Sequence, residues 1–296
     1  MDDSELTLWK RAGEIAARSR DIGARMIVEG ETLLSVAEAV EEHILSMGGS
    51  VAFPVNIALN DYAAHFTPKP ADKQRFTRGD LVKLDVGAHM NGCIGDTAVT
   101  IEVGSSTYTH LIAASQRALD AVIETIRPGV PLSAIGSIVE RTMNNMGFKP
   151  IVNLTGHSIE RYKLHAGINV PNYNDRSDVV VPSGTILAVE PFATTGIGEV
   201  SSYKRSNIFR MVRKKGNLTP EQEKALQIIA AGPGQLPFSE RWLERKVPKA
   251  DKVINGLVRA GSIYSYPILR EGSGGMVAQS EHTLYISDRG CTVLTN

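Results

Sequence analysis

Apolar residues recur at helical spacing over residues 4–25, where Leu6, Trp9, Ala12, Ile15, Ala16 and Ile22 fall on one stripe. A second helix is predicted over 31–47, with Glu31 or Thr32 at its start and Met47-Gly48-Gly49 as its stop. The period then changes. Residues 51–60 read as an apolar strand broken by Pro54, and Asn60-Asp61 turns the chain into the segment holding His65. Residues 81–103 read as a β-hairpin around Asn91-Gly92, a strong two-residue turn signal. Such a loop pairs positions whose numbers sum to an odd value, so Asp85 and Asp96 share one face, opposite or diagonal to each other. The other face carries Val82, Leu84, Val86, Val99, Ile101 and Val103 and is predicted core. A one-residue bulge would break this parity.

Helical spacing returns over 107–126, ended by Pro128-Gly129, and over 133–146, with Ser133 as cap and Gly147 as stop. Residues 151–171 are irregular and hold Gly156-His157 and His165. Strands at 185–192 and 280–287 carry Glu190 and Glu281. The texture differs from about 215 to 264. Thr219-Pro220-Glu221-Gln222 opens a helix with Thr as cap, Pro at the first position and Gln at the third. Two more helices are predicted at 239–245 and 249–260. These helices read as an insertion, because candidate site residues lie on both sides of them.

Composition narrows the class. The 296 residues are 42% hydrophobic with 27 Gly and 14 Pro, which suits one domain with a large core and an insertion. Lys plus Arg equals Asp plus Glu at 32 each, so the overall charge argues against nucleic-acid binding. Cys93 and Cys291 form no CxxC pair, which excludes a disulfide framework and points to a reducing compartment. The start, Met-Asp-Asp-Ser-Glu-Leu, is acidic and polar, unlike a signal peptide, and no stretch of 18 apolar residues is present. The expectation is a soluble, cytoplasmic protein without a membrane partner.

Four acids stand where acids are costly. Asp85 lies in Leu-Val-Lys-Leu-Asp-Val-Gly and Asp96 in Ile-Gly-Asp-Thr-Ala-Val. Glu190 lies in Ile-Leu-Ala-Val-Glu-Pro-Phe and Glu281 in Gln-Ser-Glu-His-Thr-Leu. A buried, unpaired carboxylate costs several kcal/mol, so such groups are paired or given a metal. One strand Asp alone is ordinarily an edge residue or turn partner. Four, with His65 and His157 beside small residues, point to a carboxylate-rich dinuclear site suited to Mn, Co, Fe or Zn. Such a site activates water and polarises a carbonyl, so amide or ester hydrolysis is expected. His43, His89 and His110 sit in helical or exposed contexts, and His282 points away from Glu281 across its strand, so these four are read as structural.

The motifs Asn60-Asp-Tyr-Ala-Ala-His-Phe-Thr-Pro68, Lys83-Leu-Asp-Val-Gly-Ala88, Gly95-Asp-Thr-Ala98, Gly156-His157, Leu164-His-Ala-Gly167, Val189-Glu-Pro-Phe192 and Gln279-Ser-Glu-His282 occur in that order. Together they resemble the methionine aminopeptidase family over nearly the whole chain. The resemblance implies an α/β (α+β) pita-bread fold. This is a curved antiparallel sheet with pseudo-two-fold halves covered by helices. Glu190 and Glu281 are 91 positions apart, which leaves room for an inserted, winged-helix-like subdomain as in type 2 enzymes. The implied domains are 1–214 with 265–296, catalytic, and 215–264, inserted. The absence of a long charged N-terminal extension resembles the archaeal form.

By the same resemblance Asp85, Asp96, His157, Glu190 and Glu281 would hold two divalent ions, Co, Mn, Fe or Zn. Asp96 and Glu281 would bridge them. Glu190 would also move the proton of the attacking water. His165 would contact the scissile amide or the developing oxyanion, and His65 would lie at the pocket edge near the new N-terminus. Phe53, Leu164 and Tyr266 would line the methionine pocket. The implied substrate is a nascent polypeptide N-terminus with a small second residue. The protein would be a monomer, with the ribosome as a further partner. The alternatives are a prolidase or aminopeptidase P of the same fold, and a non-catalytic pita-bread protein that binds RNA or the ribosome.

Overall fold

Two helices open the chain because two apolar stripes must find cover. In the computed structural model, which describes residues 2–213 and 217–296, α1 spans Asp3–Met26 and α2 Leu33–Ser46. Asp2 caps α1 by accepting from the Glu5 amide, and Thr32 caps α2 through the Ser35 amide. Both pack on a sheet formed by β1 (Ser50–Leu59), β3 (Leu81–Met90) and β4 (Cys93–Glu102), with β2 (Tyr62–Ala64) between them in sequence. Ile15, Val36, Val40 and Ile44 bury against Ile57, Val82, Leu84 and Val86. The approach is close: a Cβ on Gly95 would lie 2.6 Å from the Gly13 Cα. Only glycine lets α1 touch β4 there.

The β3–β4 hairpin turns at Asn91-Gly92 as expected, with φ of 50° and 89°. These left-handed values match the right-handed twist of the flanking strands. Asp85 pairs with Ala98 and Gly87 with Asp96, so the two acids are diagonal neighbours on one face. The opposite face enters the core through Val82, Leu84, Val86 and Val103, with Val99 and Ile101 packed against it. Pro54 does not break β1. It lacks an N–H for the ladder, and the register instead slips between Val51 and Phe53 and between Phe53 and Asn56.

The second half repeats the plan. Helices α3 (Thr109–Thr125) and α4 (Leu132–Asn145) cover a core of Leu119, Ile135, Val139, Leu187 and Leu284. Pro131, extended at φ −63° and ψ 138°, precedes α4, and Ser133 falls inside its first turn instead of capping it. Next come β5 (Lys149–Pro150), β6 (Thr155–Ile159), β7 (Asn169–Pro171), β8 (Thr185–Val189) and β9 (Phe192–Thr194). The segment expected to be irregular thus contains β6, which lies between β7 and β8 in a five-stranded sheet. Its residues, Thr-Gly-His-Ser-Ile, are too short and too polar to announce a buried strand.

A long strand β10 (Val200–Met211) leads to helix α5 (Pro220–Ala231), strand β11 (Phe238–Ser239) and helices α6 (Glu240–Glu244) and α7 (Ala250–Arg259). Thr219 and Gln222 form the expected capping box. The expected start of the insertion, at 215, lies outside the described residues. These helices share an apolar cluster with Phe209 of β10 and Ile263 of β12 (Ile263–Glu271). The chain closes with β13 (Val277–Gln279), β14 (His282–Ser287) and β15 (Gly290–Val293).

A seam of threonines joins the halves. Ala98 and Glu281 exchange backbone hydrogen bonds as an isolated bridge. On either side, side chains replace main-chain pairing. Thr283 Oγ1 accepts from the Asp96 amide at 2.7 Å and donates to the Asp96 carbonyl at 2.8 Å. Thr97 Oγ1 donates to the Glu281 carbonyl, and Thr100 Oγ1 to the Gln279 carbonyl. This stitching lays β4 beside the β13–β14 region and sets Asp96 next to Glu281.

Candidate metal centre and pocket

The seam delivers four carboxylates and one imidazole to a single cavity. Asp85 comes from β3, Asp96 from β4, His157 from β6, Glu190 from just after β8, and Glu281 from just before β14. Ligand atoms of Asp96, His157 and Glu281 lie within 4.8 Å of one another. The His157 Nε2 is 3.7 Å from an Asp96 oxygen and 3.6 Å from a Glu190 oxygen. Gln279 Nε2 stands 3.4 Å from both Glu190 Oε2 and Glu281 Oε2.

The electrostatics are unfavourable without a cation. Burial raises the Asp96, Glu190 and Glu281 carboxyls well above their usual range, and neighbouring carboxylates add to it. Burial pushes Asp85 up to about 7, against a hydrogen bond with Asp96 that lowers it. Asp85 Oδ1 and Asp96 Oδ1 are buried without partners. Among the described residues, no Lys or Arg forms an ion pair with any of the four. A cluster of buried anions with free lone pairs fits divalent cations, which would neutralise the charge and satisfy the oxygens. Burial, then His165, hold His157 down to about 3, so it is a neutral imidazole with a lone pair to give.

The other named residues form the walls. His65, at φ 64°, follows β2, and its Nδ1 lies 3.1 Å from the Pro267 carbonyl. Burial lowers it to about 4. Tyr266 on β12 meets the His65 ring edge-on, with centroids 5.2 Å apart. The His165 ring is 4.2 Å from that of His157, and burial followed by Arg210 lowers its pKa. Phe53 and Leu164 complete an apolar side. All ten residues singled out from the sequence line this cavity. The four histidines read as structural do not line it; His282, for example, bonds Thr295 at 2.9 Å.

Sequence reasoning missed Asn56, Ala64, Ile208 and Pro237, which also line the cavity. Asn56 had a signal, as a polar residue inside an apolar strand. Ile208 and Pro237 had none, because strand folding alone brings them there. Gly87 was missed as well. It pairs with Phe53 across β1 and β3, and a Cβ there would overlap the Phe53 ring. Glycine is what lets that ring lie flat against β3.

A helix-covered, curved sheet with a carboxylate–imidazole cluster at its centre defines a class of metal-dependent peptidase. The chain belongs to metallopeptidase family M24, whose model matches residues 7–234. It is 42% identical to a methionine aminopeptidase of Methanocaldococcus jannaschii over 284 residues, covering 96% of each chain. Among solved structures it resembles a methionine aminopeptidase of Thermotoga maritima, with a TM-score of 0.73 and 23% identity over 100% of this chain and 98% of that one. It also resembles a thermophilic Arx1, with a TM-score of 0.88 and 17% identity over 99% and 91%. These likenesses agree with the pita-bread fold.

Proposed function

We propose that the protein removes the N-terminal methionine from nascent polypeptides whose second residue is small. The observation that carries this reading is the convergence of four carboxylates and His157 on the floor of one partly apolar pocket. The 42% identity to a methionine aminopeptidase supports the substrate. In this reading Asp85, Asp96, His157, Glu190 and Glu281 hold two divalent ions, Co, Mn, Fe or Zn. When bound, the ions supply Lewis acidity and make water a better nucleophile at neutral pH.

The remaining steps belong to the chain. Glu190, partly open to the pocket at 15% side-chain exposure, accepts the proton of the attacking water and returns it to the leaving amine. His165 is held neutral and donates a hydrogen bond to the oxygen that develops charge. His65, also neutral, contacts the new N-terminus at the pocket edge. Phe53, Leu164 and Tyr266 receive the methionine side chain, whose thioether suits aromatic edges.

We assign residues 1–214 and 265–296 to the catalytic domain and 215–264 to an inserted subdomain that closes the pocket. An apolar cluster holds α5, α6 and α7 together, and Phe209 of β10 joins it to the catalytic part. The reading places the protein in the cytoplasm as a monomer that works on emerging chains at the ribosome. Cys93 and Cys291 are both free, in keeping with a reducing compartment. No described helix is long and apolar enough to cross a membrane.

Metal-loaded protein should release methionine from Met-Ala-Ser and far more slowly from Met-Leu-Ser. Glu190→Gln should lower that rate by about 10²-fold or more. No methionine from the first peptide would overturn the reading. Cleavage of X-Pro dipeptides instead would favour a prolidase-like activity.

A further inference from the structure

Asn56 is 6% exposed on β1 and stands directly opposite Asp85 of β3 in the strand register. Its Nδ2 donates to the Pro54 carbonyl at 3.0 Å. A carbonyl accepts only from a donor, so this contact fixes which end of the amide is which. The other end, Oδ1, is buried and has no partner. The residue lines the same cavity as Asp85, His65 and Glu190.

An unmet buried acceptor is costly, and a strand that otherwise buries Val55, Ile57 and Ala58 would be cheaper with an apolar residue here. The oxygen therefore calls for a donor that arrives from the cavity. Directly across from it in the register stands Asp85, one of the acids assigned above to the ions. An unpaired acceptor on a pocket residue beside those acids suits a donor-rich, positively charged group. A peptide attacked from its amino end brings one such group of necessity, its α-amino group. Pro54 also causes the bulge that places Asn56 opposite Asp85, so the acceptor and its orientation are built by the same local irregularity.

We propose that Asn56 recognises the free amino terminus: its Oδ1 accepts a hydrogen bond from the α-amino group of the residue to be removed. This rests on the peptidase reading above and adds to it the group that distinguishes an amino terminus from an internal peptide. A blocked terminus, such as an acetylated one, has one donor and no charge to offer this site, and should be refused.

The test compares two probes by calorimetry on metal-loaded protein. One is L-methionine; the other is 4-(methylsulfanyl)butanoic acid, which is methionine without its amino group. In wild type, methionine should bind more tightly. In Asn56→Ala, methionine should weaken by about tenfold while the deamino compound changes by less than about twofold. Asn56→Asp keeps an oxygen acceptor and should keep the preference. The readout is the ratio of the two affinities, which a general loosening of β1 would leave unchanged. An unchanged ratio in Asn56→Ala overturns the proposal. So does a loss of bound metal in that variant, which would make Asn56 an ion ligand. If wild type neither binds methionine nor cleaves Met-Ala-Ser, the peptidase reading itself fails and takes this proposal with it.

Discussion

Arg241 makes a buried contact between the helical segment and α2, and its removal gives the sharpest test of how the pocket is closed. It is 3% exposed and forms a two-pronged pair with Glu41 of α2, both bonds 2.8 Å. Its Nε donates to the Pro68 carbonyl at 2.9 Å, and Nη2 also reaches Thr67 at 3.1 Å. Trp242 Nε1 donates to the same Glu41 carboxylate at 2.8 Å. Replacing Arg241 by Met keeps much of the stem volume but leaves a buried carboxylate with only neutral donors. Breaking a buried pair from one side costs about 3–5 kcal/mol. Trp242 and the Val55 amide still serve Glu41, so the low end, about 3 kcal/mol, applies. For a 296-residue chain that corresponds to a fall in Tm of about 5 °C. Adding Glu41→Gln removes the stranded charge and should restore at least about 1 kcal/mol. Pro237 lies four positions before Arg241 and lines the cavity, so KM for Met-Ala-Ser should rise while kcat is largely kept. Scanning calorimetry and steady-state kinetics on metal-loaded protein read both effects. A Tm within about 1 °C of wild type, or a double variant no better than Arg241→Met, would refute the argument.

Two further outcomes follow from the site. In the metal-free protein Asp85, Asp96, Glu190 and Glu281 keep protons that the unfolded chain releases near pH 4 to 5, because all four are raised from model values of 3.8 or 4.5. For these four the folded state binds more protons than the unfolded one, which lowers stability as pH rises; the buried neutral His65 and His157 act the opposite way below about 6.5, so the net fall shows above that, through about 7, the Asp85 value. Metal loading should release protons and weaken or reverse that slope; thermal unfolding with and without chelator, and calorimetry in buffers of different ionisation enthalpy, measure it. Metal-free protein that gains stability from about pH 7 to 8 would contradict this. Gly87→Ala should displace the Phe53 ring and raise KM for methionine peptides by about tenfold, with metal content unchanged; equal KM values would show that the ring does not bound the pocket.

Much of the site was legible because its chemistry clashes with its local setting. Acids inside apolar strands stand out whatever the fold, and the Asn91-Gly92 turn fixed which face two of them share. The boundaries of α1 and α2 and the capping box of α5 were equally readable, since caps and stripes are local. Strand β6 was not, because five residues with a Gly and a His carry no period. The continuity of β1 through Pro54 was not either, because a bulge is accepted only when neighbouring strands hold the chain in place.

The sequence by itself determined the type of chemistry, the helices, the hairpin and the diagonal relation of Asp85 to Asp96. Those depend on contacts within a few tens of residues. Only the tertiary structure decided that Asp96 meets Glu281 through a seam of threonine side chains, that Asn56, a lining residue of the cavity, keeps its buried oxygen unpaired, and that Arg241 closes on Glu41. Each of these joins segments whose spacing along the chain leaves no periodic trace. Their geometry is set by which surfaces bury one another, and that is settled only when the whole chain has packed.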